Sequence, residues 1–195
     1  NSLSLNNPKI ALLRGEVAML RGKFENSIQI LETAILANQK NIQLRWARKD
    51  SIEHLEVIVD ALPLNITARL ALIKEQLKIE RFDDARSNLI VLQGQGVLQD
   101  EQAMGLFNSA LTQIDNENTR VARAQVIGLD NVLKPTRAWQ HSQLEVAGPP
   151  GTVGHPIRAF LNTAVPQLNA PTAKAVTFSK IQESVLPAGK KRILL

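Results

Sequence analysis

The chain has 195 residues, 44% of them hydrophobic and 21% charged, which suits a folded protein with a substantial core and argues against wholesale disorder. With no Cys it has no disulfide scaffold, thiolate chemistry or Cys-ligated metal site, and with no Tyr and 4% aromatics it lacks material for base-stacking platforms. The net charge of +5 invites a nucleic-acid reading until it is located: residues 148–195 hold six basic residues against Glu183 alone, so residues 1–147 are neutral.

Taken in chain order, residues 1–147 read as helices. Pro8 suits a first helical turn, where a missing N–H costs nothing. Ile10, Leu13, Val17 and Leu20 recur at spacings of three and four, as do Phe24, Ile28, Leu31 and Ile35. The pattern continues in Ile52, Leu55, Val59 and Leu62, in Leu70, Ile73 and Leu77, and in Phe82, Ala85, Leu89 and Leu92. Met104, Phe107 and Leu111 follow, then Val121, Ala124 and Ile127, and Pro135 is expected to open a last helix ending near Val146. Breaks are expected at Gly22-Lys23, Asn38 to Asn41, Pro63 to Asn65, Gly94 to Gly96 and Asp115-Asn116. No alternating strand pattern interrupts this. The expected class is all-α, with roughly eight or nine helices in antiparallel pairs.

Residues 148–195 differ in kind. They hold six of the nine prolines and four of the ten glycines, so an extended, Pro-rich, basic tail is expected there, with a short helix near 156–162 and a β-like end. The expected division is a helical domain over 1–147 and this tail over 148–195. No uncharged apolar run approaches the ~18 residues needed to span a bilayer, so membrane contact is expected to be indirect at most. Asn1 opens no recognisable signal peptide and no Met precedes it, which suggests a processed product or a fragment.

Few residues carry chemistry. Gly148-Pro149-Pro150-Gly151-Thr152 is similar to a nucleotide-phosphate loop, but Val153, Gly154 and His155 stand where Gly, Lys and Ser or Thr would be needed, so it reads as a hinge. His54, His141 and His155 show no i, i+4 pair and no companion carboxylates at metal-ligand spacing. No catalytic residue, metal or cofactor is expected. His54, among helical carboxylates, reads as a solvated pairing residue. Asp83-Asp84 and Asp100-Glu101 read as helix-start residues, and Trp46 and Trp139 as packing residues at helix junctions. Asn65-Ile66-Thr67 matches a glycosylation acceptor, and Lys190-Lys191-Arg192 is too short for a convincing polybasic element.

Pro8 to Asn41 resembles the tetratricopeptide repeat (TPR) family, whose unit of about 34 residues is two antiparallel helices. Gly15, Ala18, Gly22, Phe24, Ser27, Leu31 and Ala34 carry the resemblance. Gly15, Ala18 and Ser27 are small where helices must approach; Gly22 suits a positive φ; Phe24 is expected to pack back across the turn. Ile66 to Gln99 is similar through Leu72, Phe82, Ala85 and Leu89, with Glu80 in place of the turn glycine and Gln76 in place of a small or aromatic residue. Ile42 to Asn65 reads as a shortened pair and Asp100 to Leu133 as a further one.

The resemblance implies a solenoid that binds a partner protein along the first helix of each pair. Carried over position by position, the lining residues are Lys9, Leu12, Glu16 and Met19 in the first unit, and Thr67, Leu70, Lys74 and Leu77 in the second. The Lys/Asn set with which some TPR domains grip a C-terminal carboxylate is not reproduced. The order of features also resembles the N-terminal part of bacterial exported proteins that carry FG-GAP propeller repeats, although no such repeat occurs here. The compartment is open, with an exported or periplasmic one favoured. The expected function is non-enzymatic: a scaffold subunit that binds protein partners through the helical surface and the tail, without nucleic acid. The alternative is a regulatory domain of a larger exported enzyme or propeller protein whose chemistry lies elsewhere.

Overall fold

A computed structural model describes residues 7–148, which form nine helices and no strand. They are α1 (Pro8–Leu20), α2 (Phe24–Ala37), α3 (Ile42–Ala47), α4 (Ile52–Ala61), α5 (Ile66–Lys78), α6 (Phe82–Gly94), α7 (Glu101–Asp115), α8 (Thr119–Leu133) and α9 (Arg137–Ala147). The all-α expectation holds for this region. The expected Pro-rich tail lies outside the described residues. No described helix is long and apolar enough to cross a membrane.

Local chemistry explains the boundaries. Asn7, Asn41, Asn65, Asp100, Asn118 and Thr136 stand at N-caps, and each side chain accepts a bond from a first-turn amide. Pro8 is the first residue of α1, as expected, whereas Pro135 lies just before the Thr136 cap and not inside α9. Asp83 and Asp84 sit in the first turn of α6, where carboxylates favour the amide-rich end.

Three helix pairs share one turn. The Gly22 amide donates to the Met19 carbonyl and the Lys23 amide to Ala18. Glu80 and Arg81 repeat this with Leu77 and Gln76, and Glu117 and Asn118 with Ile114 and Gln113. This double closure needs a left-handed residue, and Gly22, Glu80 and Glu117 have φ of 69°, 62° and 54°. Glycine takes that backbone freely; the two glutamates hold it at a cost.

From this turn the contact positions fall into a common register. Ser27, Leu31 and Ala34 of α2 correspond to Ala85, Leu89 and Leu92 of α6 and to Ala122, Val126 and Leu129 of α8, and all nine are buried. Facing them, Gly15, Ile73 and Ala110 occupy one position of α1, α5 and α7. At Gly15 the approach is tightest. A Cβ there would lie 2.9 Å from Leu31 Cδ2, and the Ser27 hydroxyl donates to the Gly15 carbonyl at 2.7 Å. Gln76 occupies its buried position by accepting from Asn88 (3.1 Å), which in turn accepts from the Arg69 guanidinium at 2.6 Å.

Two expectations need correction. Phe24 does not pack back across its turn: as the first residue of α2 it is 59% exposed. His54 is not solvated but 8% exposed, held between Arg45 Nη1 (3.1 Å to Nδ1) and the Glu32 carboxylate (3.0 Å to Nε2). Arginine can only donate, so Nδ1 accepts and Nε2 carries the hydrogen offered to Glu32. Arg48 also binds Glu32, and this polar cluster ties α2, α3 and α4 together.

The pairs do not stack as a uniform series. The α6–α7 link is longer than the others and anchored by buried Leu98, and it is α8 rather than α7 that packs along α5. Helix α9 then returns across α3 and α5. Its Val146 and Ala147 join Trp46, Leu55, Ile58, Ala68 and Leu72 in one apolar cluster. Polar contacts fix its height. The Ser142 hydroxyl accepts the Ile66 amide (3.2 Å), and Asn65 Nδ2 donates to the Ser142 carbonyl at 2.8 Å and to Glu145. Asn65, 1% exposed with its amide nitrogen so engaged, offers no accessible glycosylation acceptor in this fold.

Candidate functional site

The eight residues expected to line a groove separate into two groups. Leu12, Glu16 and Met19 come together on one wall of a cavity of about 270 Å³ between α1, α2, α3 and the end of α9. Lys9 lies outside it, exposed near the start of α1. The second group does not share this opening. Leu70 and Leu77 are fully enclosed in the main apolar core with Leu89, Phe107 and Val126. The Thr67 hydroxyl faces the Trp139 carbonyl at 3.4 Å, and Lys74 binds Asp130 at 3.0 Å.

The cavity's floor is apolar, made by Leu31, Ala47, Ala147 and Trp46. Glu16 and Lys49 bring one charge of each sign, and Gln43 and Gln143 supply amides. Lys49 Nζ lies 5.0 Å from the centre of the Trp46 ring, within reach of a cation–π contact. Although Lys49 is an exposed residue, enough protein surrounds its ammonium to hold its pKa below the usual lysine range. Desolvation is the main cause and the charge of Lys74 the second, with Asp130 opposing both. Asp130 is engaged twice, accepting from Lys74 and from the Trp139 indole nitrogen at 2.8 Å. Lys74 is thereby paired with a carboxylate, while Lys49 forms no ion pair with the described residues.

Sequence reasoning missed Gln43, Lys49 and Gln143 and assigned Trp46 to packing alone. Gln43 and Trp46 lie in the short α3 at the positions of Lys9 and Leu12, where carrying over the first-helix pattern would have pointed to them, whereas Lys49, just beyond α3, lies off that pattern. Gln143 had no local signal, since it reaches the groove only because α9 returns across the fold. His141 is exposed beside Glu145, and no described group of His, Cys, Asp and Glu is arranged to hold a metal ion. No protein-family model matches the chain, and neither does any curated protein or solved structure.

Proposed function

We propose that residues 7–148 are a non-enzymatic protein-interaction module: a short TPR-like solenoid that takes a segment of a partner protein into the groove walled by Leu12, Glu16 and Met19. The observation that carries this reading is the convergence of those residues on one apolar cavity flanked by Trp46 and Lys49. Such a floor suits apolar side chains, while the opposed charges and the two amides suit the polar backbone of an extended segment. The turn and register common to three pairs support the solenoid, and the burial of Leu70 and Leu77 confines the groove to its first half.

Selection of displayed random peptides against the full chain tests this. Enriched peptides are expected to carry spaced apolar residues and to weaken at least about tenfold against Met19→Asp, an exposed substitution that leaves the core intact. Absence of enrichment, or binding indifferent to Met19→Asp and Lys49→Glu together, overturns the reading.

A further inference from the structure

We propose that a second surface, the outer groove between α1 and α2, docks an acidic amphipathic helix of a partner protein. This surface is distinct from the groove described above and does not depend on it. Leu13, Val17 and Ala18 of α1 and Ile30 of α2 line an opening of about 440 Å³. Ile10, Leu13 and Val17 are spaced by three and four, so they form one stripe along α1, and Ile10 is 41% exposed.

The shared register shows what such a stripe is for. The positions of Ile10 and Leu13 correspond to Ala68 and Ala71 in α5 and to Gly105 and Asn108 in α7. Ala68 and Ala71 are buried in a cluster with Leu55, Ile58 and Val59 of α4, so at this position α5 receives a helix. In α7 the same positions are exposed and carry no large apolar side chain. Helix α1 combines the two conditions: Ile10 and Leu13 are apolar, as their counterparts in α5 are, yet among the described helices its main contacts are with α2 and α3, and none covers Ile10 as α4 covers Ala68. An apolar stripe on a helix is expected to be covered. A helix of the α4 kind is the shape that fits.

Charge selects its chemistry. Arg14, Arg21 and Lys23 line the groove, whereas none of Glu16, Glu25 and Glu32, the carboxylates of α1 and α2, does. A partner helix with carboxylates flanking its apolar stripe would be complementary. A second copy presenting the same groove would set cations against cations, and a nucleic acid would leave the apolar floor unused.

The test uses the full chain and three fluorescent probes. These are an amphipathic peptide of about 18 residues with Leu at helical spacing and flanking Glu, its twin with every Glu replaced by Lys, and a single-stranded RNA. The Glu peptide is expected to bind with a gain in helical circular dichroism. The Arg21→Glu/Lys23→Glu chain, altered only at exposed positions, is expected to bind it at least about tenfold more weakly and to gain affinity for the Lys twin. Equal binding of both peptides, no binding up to about 1 mM, insensitivity to the charge reversal, or RNA bound in preference overturns the proposal. So does self-association of the unliganded chain that the same reversal abolishes.

Discussion

Helices α1 and α5 open equivalent pairs, end in the same turn and meet their partner helices at the same positions, yet ten residues of α5 are buried against four of α1. The difference does not come from the pairs themselves. It comes from what is laid on them: α4, α8 and α9 all pack on α5 in addition to α6, whereas among the described helices α1 packs mainly on α2 and α3. A repeat position therefore fixes which way a side chain points but not whether anything covers it. The residue equivalent to Leu12 is Leu70, and the first borders an open cavity while the second lies in the core.

The largest expected effect comes from removing the cover. A chain ending at Lys134 loses α9, with its buried Val146, Ala147 and Ser142, and should be destabilised by roughly 4 kcal/mol or more relative to a chain ending at Gly148. Thermal melts and dye binding would show it; equal stability would mean that α9 is an accessory. Leu77→Ala, at a fully enclosed site, should cost about 2 to 5 kcal/mol in denaturant melts, and Met19→Ala less than about 1, so similar losses would erase the contrast between α5 and α1.

At the shared turn the expected changes are smaller and opposite in sign. Gly22→Ala should cost about 1 kcal/mol, and Glu80→Gly should gain up to about 1, because each changes how easily the left-handed backbone is held. Phe24→Ala should cost less than about 1 kcal/mol, since most of the ring is already in water. A larger loss would return Phe24 to the core.

The smallest effect concerns pH. Lys49 has a folded-state pKa below its unfolded one, so in the interval between them the unfolded chain holds the extra proton and stability rises with pH. Lys49→Met should flatten that alkaline rise slightly in melts taken between neutral pH and the lysine range. An unchanged slope would mean that Lys49 is fully hydrated.

Much of this was legible in the residues themselves. Gly22, Asn41, Asn65, Asp100 and the 3.6-residue apolar spacing act within one or two turns of chain, and they placed the helices nearly as observed. Gly15, Ser27 and Leu31 also announced a close helix pair, because a small residue opposite a large one is a statement about neighbours only a turn apart. Phe24 misled because an aromatic at a helix start fits either packing or exposure, and periodicity does not distinguish them. His54 misled because Glu32 and Arg45, which bury it, are far from it in sequence.

Although the stripe of Ile10, Leu13, Val17 and Leu20 did not mark the buried face of α1, which is Ala11, Leu12, Gly15 and Ala18, the sequence by itself determined the helices, most of their boundaries and the left-handed turn at Gly22. These are set by backbone hydrogen bonding, side-chain spacing and steric limits on φ, which act locally. Only the tertiary structure decided that α8 takes the place beside α5 and that α9 crosses α3 and α5 to close one half of the inner face. That choice rests on contacts between residues far apart along the chain, such as Asn65 with Ser142 and Lys74 with Asp130, and on the apolar cluster that holds both Ala68 and Val146. Their energies depend on complementary shape and paired polar groups, which no local pattern encodes. It left Leu12, Glu16 and Met19 beside an open cavity and placed Leu70 and Leu77 in the core.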